Sequence, residues 1–255
     1  MKLFKPFENL KSLNKTVIGL SWLILLLAIW SFNSLGTTHL FPTPTQVLTG
    51  FVDLYRAGLI IHIGSSIMLC TQSVLISILI SLIICYASPL PILKPISSFI
   101  SKFRYLPLTG ISFYIAILFH EARTIQVWVL VVFMTTFLTT SLLSMIKDIP
   151  EEEFDHGRSL GCTRWEILWE VVIKGRLDYV IELVRQNLAI VWMMLVTVES
   201  ILVSAGGIGF LIKNNDKLGD AGKVVALQII IILLGLFLDF SLTKLRKVIF
   251  RYSNF

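Results

Sequence analysis

Glu199 carries a carboxylate within a long apolar stretch, shortly before three glycines at positions 206, 207 and 209. A charged side chain inside a membrane-spanning segment costs free energy, so it is a functional candidate by default. Glycines permit backbone conformations that are closed to other residues. Two interpretations are open. Glu199 is either a structural acid that bonds to the backbone of residues 206–209 or, with Gly207 and Gly209, part of a gate or translocation path.

Small hydroxyl side chains recur along an earlier apolar stretch, where Ser66, Ser73, Ser77 and Ser81 fall close to one face of a helix. Small polar residues allow helices to approach one another closely in lipid. The pattern is compatible with plain helix packing and with the lining of a polar substrate path. Ser73 and Ser77 are the candidates for that path.

A polar segment at residues 147–178 separates two long apolar runs, and seven of the sixteen acidic residues lie within 148–170. Pro150 predicts a helix start, because the missing N–H costs nothing in a first turn. Gly161 predicts the end of that helix. Thr163 and Glu166 then have the spacing of a capping box, which predicts a second helix.

The second helix of this segment carries Trp165, Leu168, Trp169 and Val172 at spacings of three and four. We predict that it ends near Gly175. The first helix is mostly polar and lacks an apolar stripe, so little in its own sequence favours independent folding. The segment either docks onto a partner protein or is a solvated loop with helical tendency.

No residue pattern predicts a catalytic or metal site. The three cysteines are too few and too scattered for a disulfide framework or a metal site. Glu152, Glu153 and Arg158 miss the Glu-Glu-x-x-x-Arg spacing of one membrane protease class by one residue. The sequence contains no phosphate-cradling loop. We therefore expect no enzyme activity and no cofactor, and we expect a partner to bind any nucleotide.

Composition indicates that these residues are positioned by membrane helices. Apolar residues make up 55% of the 255-residue chain and charged residues 15%, with a mean hydropathy of +0.82. Soluble domains carry about 25% charged residues. The net charge of +6 could suggest nucleic acid, but the basic residues lie beside apolar runs, as anchors in the cytoplasmic leaflet do. A lipid bilayer is the expected surrounding, and nucleic acid is not an expected partner.

Six segments are long and apolar enough, or nearly so, to cross a bilayer, which takes about 20 residues in a helix. The first is predicted to be an uncleaved helix, because no small-residue cleavage site follows it. The third is short, because Pro107 and Gly110 interrupt its start. The segments are residues 16–33, 60–87, 106–119, 124–146, 180–205 and 223–243.

Orientation follows from the basic residues, since 17 of the 22 Lys and Arg residues fall on one side of these segments. Both termini and residues 147–178 are therefore predicted to be cytoplasmic. Residues 37–58 would be external, with an amphipathic helix at the outer interface. Residues 204–222 are too rich in turn residues for a strand or a long helix, so an ordered external loop is expected. Asp239 has Lys244 as its nearest basic neighbour in sequence, which predicts an anchor pair.

Residues 155–161 read Asp155-His156-Gly157, then Arg-Ser-Leu, then Gly161. This run resembles a cytoplasmic motif that has Glu-Ala-Ala, three residues and a glycine. The motif belongs to the integral membrane subunit of bacterial ATP-binding cassette (ABC) importers of the nitrate, sulfonate and taurine branch. The run RSLGCTRWEIL at residues 158–168 is similar to the family's Arg-Thr-Leu-Gly-Ala-Ser-Arg-Trp.

Three further motifs occur in the family's order. LFPTPTQV at residues 40–47 resembles Leu-Pro-Ser-Pro-x-x-Val, and RYLP at 104–107 resembles Arg-Pro-x-Pro. Glu199 followed by GIGF at 207–210 resembles Ala-Glu and then Gly-Leu-Gly-Phe or Tyr. The apolar runs extend the likeness to about Arg246.

This chain also departs from the family pattern. The acid of the cytoplasmic motif is Asp155, and His156 and Gly157 replace both alanines. Lys174 and Asp178 stand where the family has its later prolines. The altered motif suggests the hypothesis that this subunit pairs with a second, more typical permease.

The resemblance implies a type I permease fold, which is all-α with six transmembrane helices and cytoplasmic termini, in the bacterial inner membrane. It implies ATP-driven import of a small solute such as nitrate, a sulfonate or taurine. The implied partners are cytoplasmic ATPase subunits, a second permease subunit, identical or not, and an external solute-binding protein. The implied ATPase-coupling residues are Asp155, His156, Gly157, Leu160, Gly161 and Trp165.

The resemblance also divides the chain into three parts. Residues 1–58 would hold the first helix and the external amphipathic segment, residues 59–246 the permease domain with its coupling loop at 147–178, and residues 247–255 a cytoplasmic tail. A secondary transporter or a channel is the alternative from another class. Such a protein would require charges near the bilayer midplane, and the second to fourth helices offer almost none.

Overall fold

The computed structural model describes residues 12–34 and 42–249, and all regular structure in this part of the chain is helical. The predicted all-α class is therefore confirmed for these residues. The basic N-terminus, the first two residues of the LFPTPTQV motif and the last six residues of the predicted tail lie outside the described ranges. In chain order the helices are α1 (Ser12–Ser34), α2 (Pro44–Arg56), α3 (Leu59–Ala87), α4 (Lys94–Lys102), α5 (Leu108–Leu118), α6 (Ala122–Lys147), α7 (Glu151–Ser159), α8 (Arg164–Ile167), α9 (Leu177–Ile201), α10 (Ile208–Lys217) and α11 (Ala221–Ile249).

Four helical stretches are long and apolar enough to cross a membrane: Leu59–Ala87, Ala122–Lys147, Arg164–Ile201 and Ala221–Ile249. They coincide with four of the six predicted spans. Two shorter apolar stretches, within α1 and α5, coincide with the first and third predicted spans. The count of six therefore remains a prediction.

The core lies where α3, α6 and α9 pack against one another. Leu69, Leu130 and Leu195 are fully buried at one level of this packing, and Met134 and Leu138 at another. All five are large apolar side chains. Their close packing holds the three helices together. The site residues described below lie at the two ends of this bundle.

The predicted amphipathic helix is α2, which a capping box of Thr43 and Gln46 starts. Its apolar residues Val47 and Leu54 pack beside α10 and α11. A Cβ on Gly50 would lie 3.2 Å from the backbone of Gly222, so paired glycines allow this close approach. The placement of α2 at an outer membrane interface stays a prediction.

The segment predicted to be an ordered external loop, residues 204–222, contains a ten-residue helix, α10, that the sequence reading did not predict. Ile208 and Leu211 are buried against the neighbouring helices, and the amide of Asn215 donates to the Leu211 carbonyl over 2.8 Å. A buried apolar face stabilises short helices that composition alone does not predict.

Two predicted helix ends are also wrong. The helix expected to reach Ala205 stops at Ile201, and a 3-10 turn covers Val203–Ala205. The helix expected to stop near Gly175 continues into α9 through a π-helical segment, Leu168–Ile173, and a 3-10 turn. A Cβ on Gly175, in the 3-10 turn, would lie 3.2 Å from the carbonyl oxygen of Glu170, so glycine allows this close approach of the backbone rather than ending the helix.

Candidate functional site

The polar segment forms two helices that meet at Gly161, as the sequence predicts. Gly161 has a φ of +78°, a backbone conformation that favours glycine after a helix C-terminus. Its N–H donates to the Arg158 carbonyl over 3.0 Å, and the Cys162 N–H donates to the Gly157 carbonyl over 3.2 Å. The corner thereby satisfies carbonyls at the end of α7 and turns the chain towards α8.

The predicted capping box at the start of α8 is confirmed. The Thr163 hydroxyl accepts a hydrogen bond from the Glu166 N–H over 3.3 Å, and the Glu166 carboxylate accepts one from the Thr163 N–H over 2.6 Å. Two amide groups that a helix start leaves without partners are satisfied in this way.

Gly157 is the contact point between the two helices. It is buried, and a Cβ placed on it would lie 3.1 Å from Cγ1 of Ile167, which is tighter than ordinary van der Waals contact. Glycine therefore replaces the second alanine of the resembled motif at a position where a methyl group would displace Ile167. An ion pair between Glu153 and Arg176 connects α7 to the turn before α9 as well.

The remaining predicted coupling residues lie on the surface of this segment. Asp155 forms an ion pair of 2.6 Å with Arg158, and both side chains are more than half exposed. Leu160 is 69% exposed and Trp165 is 66% exposed. His156 and Gly161 are exposed too. The structure therefore brings five predicted residues to one exposed segment, whereas Gly157 is buried against Ile167.

Glu199 is fully buried at the other end of the bundle, between α3, α9 and α10. Its Oε2 accepts a hydrogen bond from the Gly209 N–H over 2.9 Å, and its Oε1 accepts one from the Ser66 hydroxyl over 2.7 Å. The same hydroxyl accepts the Ile208 N–H over 2.9 Å. The carboxylate therefore lies at the N-terminus of α10, where helix amides and the helix dipole stabilise negative charge.

The glycines before α10 make this approach of the backbone feasible. A Cβ on Gly207, whose φ is +108°, would overlap the Glu199 carboxylate. A Cβ on Gly209 would overlap the Val196 carbonyl oxygen. The Gly207 N–H donates to Nδ1 of His62 over 3.2 Å. The backbone contact considered for Glu199 is thus present, whereas a gating role for Glu199, Gly207 and Gly209 stays a prediction.

Arg123 extends this polar network, and sequence reasoning missed it. Its guanidinium donates to the carbonyl oxygen of Ser65 over 2.6 Å and to the side-chain oxygen of Gln126 over 3.4 Å. Gln126 donates to the Leu202 carbonyl over 3.0 Å, which ties α6 to the end of α9. The only signal in the sequence was an arginine at the start of an apolar helix, without any indication of its partners.

Ser73 and Ser77 are fully buried within the subunit. The Ser77 hydroxyl donates to the Ser73 carbonyl over 2.7 Å and approaches the Val131 carbonyl at 3.3 Å. This geometry is that of close packing between α3 and α6. Neither serine lies at the surface of the subunit, and a path role for them stays a prediction.

Sequence reasoning also missed a charged cluster between α9 and α11. Asp239 pairs with Arg185 over 2.6 Å rather than with Lys244, which lies over the Phe240 ring. Glu182 pairs with both Arg185 and Arg246 over 2.6 Å. In the described ranges no group of three His, Cys, Asp or Glu residues is arranged to hold a metal ion.

Solved structures share this fold. A structure titled as inward-facing MetNI methionine ABC transporter superposes with a TM-score of 0.64 at 15% identity, over 74% of this chain and 95% of the other. A structure titled as an amino acid ABC transporter with histidines gives 0.64 at 18% identity, over 79% and 97%. Both likenesses concern the fold.

Sequence comparison shows the family. The taurine transport system permease protein TauC of Escherichia coli (strain K12) is 24% identical over an alignment of 253 positions that covers 91% of this chain and 88% of that protein. Residues 56–250 match the family described as binding-protein-dependent transport system inner membrane component. The chain therefore belongs to this family, and it is an importer-type ABC transporter permease.

Proposed function

We propose that α7 couples this permease to a cytoplasmic ATPase subunit, which hydrolyses ATP while the permease moves a small solute across the bacterial inner membrane. One observation carries the proposal. Gly157 seats α7 directly against Ile167 of α8, and the segment presents Asp155, Leu160 and Trp165 outward. Movement of a docked partner would displace α7 and, through α8, the transmembrane helix α9, because helical turns run from α8 into α9 without interruption.

Loss of the docking surface tests this coupling. Leu160→Asp should reduce co-purification of the ATPase subunit, because it replaces an exposed apolar side chain of the proposed contact with a charge. Leu218→Asp is a matched control, since Leu218 is equally exposed but lies at the end of α10. Equal recovery of the ATPase with both variants would contradict docking at α7.

The proposed topology has six transmembrane helices, with both termini and residues 147–178 in the cytoplasm. Cys162 is a native reporter of this arrangement, because it is partly exposed whereas Cys70 and Cys85 are buried. A membrane-impermeant thiol reagent should label inside-out vesicles and spare right-side-out ones. Cys162→Ser should abolish the labelling. Labelling of right-side-out vesicles would show that the segment is external.

We assign the substrate to the class of small anions and sulfonates, such as nitrate or taurine, because the named relative is a taurine transport system permease. An external solute-binding protein would deliver it. Mass spectrometry of the ligand that co-purifies with that binding protein tests the assignment directly. Recovery of an amino acid that lacks a sulfonate group would replace the assigned class.

The path requires a second permease subunit. The altered Asp155-His156-Gly157 motif supports a partner that carries a more typical motif, so that the two ATPase contacts differ in strength. Purification of the complex from its native host through a tag on this chain distinguishes the two assemblies. A second permease sequence in the complex would support the heterodimer, and two copies of this chain alone would exclude it.

Glu199 is the proposed gate residue. It joins α3, α9 and α10 through one buried carboxylate, so opening this end of the bundle requires breaking those hydrogen bonds. Loss of solute uptake with retained ATP hydrolysis in Glu199→Gln would support gating.

A further inference from the structure

A cavity of about 840 Å³ lies between α4, α6 and the coupling segment of α7 and α8. Four cationic side chains line it, and none of its described lining residues is acidic. These cations come from separate elements, so the positive charge is a property of the folded chain rather than of one sequence run. They are Lys94, Lys147, Arg158 and Arg164.

Three of these cations form no ion pair within the described part of the chain. Arg158 pairs with Asp155, but Lys94, Lys147 and Arg164 form no ion pair with any residue of 12–34 or 42–249. Like charges facing one cavity repel each other, so an anion bound there would lower the electrostatic energy. The charges therefore indicate an anionic ligand.

Hydroxyl groups of α4 complete the polar wall. Ser97, Ser98 and Ser101 line the cavity, and the Thr140 hydroxyl of α6 lies 3.4 Å from the Ser101 carbonyl. The hydroxyls of Ser97 and Ser101 donate to carbonyl oxygens within α4, so the lysine and arginine side chains are the main donors available to phosphate oxygens.

Apolar side chains also line the cavity, including Leu143, Ile167 and Val172. A free inorganic anion would leave these side chains without a partner. An amphiphile would contact both kinds of lining, with its anionic group on the cations and its hydrocarbon on the aliphatic side chains.

Helix α4 has two distinct faces. Its polar residues line the cavity, whereas Ile96 is 50% exposed and Phe99 is 63% exposed on the side away from it. A short helix with a polar face and an exposed aromatic and aliphatic face is typical of one that lies in the membrane interface.

We propose that this cavity binds the phosphate headgroup of an anionic phospholipid from the cytoplasmic leaflet, phosphatidylglycerol being a suitable probe. Basic pockets between helices on the cytoplasmic side are a known kind of headgroup site. The inference rests on the proposed function for its cytoplasmic placement. Because α7 and α8 both line the cavity, the bound lipid would brace the coupling segment against α4 and α6.

Native mass spectrometry of the complex purified with its partner subunits tests the proposal. Added phosphatidylglycerol should remain bound where phosphatidylcholine is lost. The double variant Lys94→Gln/Arg164→Gln should weaken this retention about tenfold or more, because each cation contributes to the attraction of an anionic lipid. The control Lys102→Gln/Lys244→Gln removes two exposed cations that do not line the cavity, and it should retain the lipid as the unmodified complex does.

Three outcomes would overturn the proposal. Equal retention in the cavity variant and the control would show that the lipid binds elsewhere. Displacement of phosphatidylglycerol by added inorganic phosphate would identify a soluble phosphate as the occupant. Loss of the ATPase subunit from the cavity variant, with lipid retention unchanged, would assign the cations to the partner protein.

The topology is tested separately, because lipid retention in detergent does not depend on sidedness or uptake. Retention through the cavity together with external labelling of Cys162 would refute the proposed topology and the cytoplasmic leaflet as the lipid source. Cytoplasmic labelling of Cys162 without selective retention would refute the lipid site alone.

Discussion

The carboxylate of Glu199 and the backbone amide of Gly209 lie 2.9 Å apart, and their hydrogen bond joins the end of α9 to the first turn of α10. Ser66 of α3 completes the junction, because its hydroxyl donates to the same carboxylate and accepts the Ile208 N–H. A buried charge without such partners would cost several kcal/mol. Three helices are thus held at one point, and separating any one of them exposes groups that the other two now satisfy.

Glu199→Gln should disrupt this junction while keeping its shape. The Ser66 hydroxyl donates to Oε1 of Glu199, and the Gly209 N–H donates to Oε2. Glutamine keeps an oxygen at only one of these two positions and places an NH2 group at the other, so in this geometry one of the two donors loses its acceptor. An unsatisfied buried group costs about 1–3 kcal/mol. We expect solute uptake by the reconstituted complex to fall severalfold, whereas ATP hydrolysis continues.

Glu121→Gln is the matched control for that experiment. Glu121 is exposed at the start of α6, and its carboxylate accepts only from the Thr124 hydroxyl, over 2.7 Å, among the described residues. This variant should transport normally. Unchanged uptake in Glu199→Gln would remove Glu199 from the gate.

Gly209→Ala should destabilise the same junction through sterics. The added methyl group would overlap the Val196 carbonyl oxygen and lie 2.7 Å from Cβ of Glu199, so α10 must move away from α9. Overpacking of this kind costs about 1–3 kcal/mol. We expect a lower apparent melting temperature of the purified complex in detergent.

Gly64→Ala provides the comparison for this steric effect. A Cβ on Gly64, within α3, would have no atom of the described residues within 4 Å. Alanine in a helix interior is more favourable than glycine by roughly 0.5–1 kcal/mol. The melting temperature should therefore stay the same or rise. An equal fall in Gly209→Ala and Gly64→Ala would show that the loss of stability does not come from the close approach of α10 to α9.

Local spacing in the sequence predicted the helices of the polar segment, the corner at Gly161 and the capping box at Thr163, because each depends on residues within a few positions. It did not predict α10, whose stability comes from an apolar face packed on distant helices. Glu199 and Ser66 are 133 positions apart, and Arg185 and Asp239 are 54 apart. Such pairings depend on the relative placement of helices, which no local pattern encodes.

Gly157→Ala should weaken coupling, because the methyl group would push against Cγ1 of Ile167 and lift α7 from α8. We expect solute-stimulated ATP hydrolysis to fall, although the resembled motif carries alanine at this position. Gly157→Ala/Ile167→Ala removes the opposing atoms and should recover part of the stimulation. A double variant no better than Gly157→Ala would show that the contact with Ile167 is not the cause.

Glu182→Gln should destabilise the cluster between α9 and α11 more than Asp239→Asn does. Glu182 accepts from both Arg185 and Arg246 and is only 21% exposed, whereas Asp239 has one arginine partner and is 49% exposed. Hydrogen bonds to charged groups contribute about 1.5–3 kcal/mol when shielded, and exposed ion pairs contribute about 0.2–1 kcal/mol. Melting temperatures of the two variants in detergent test the order, and equal shifts would contradict it.

Asp155→Asn should separate coupling from stability. The ion pair of Asp155 with Arg158 is exposed on both sides, so its loss should leave the melting temperature of the complex unchanged. If the carboxylate is instead a contact for the ATPase, removing its charge should reduce solute-stimulated ATP hydrolysis. Asp155→Glu restores the charge and should restore the stimulation. A melting temperature that falls together with hydrolysis in Asp155→Asn would indicate that Asp155 acts within the subunit, through Arg158, rather than on the partner.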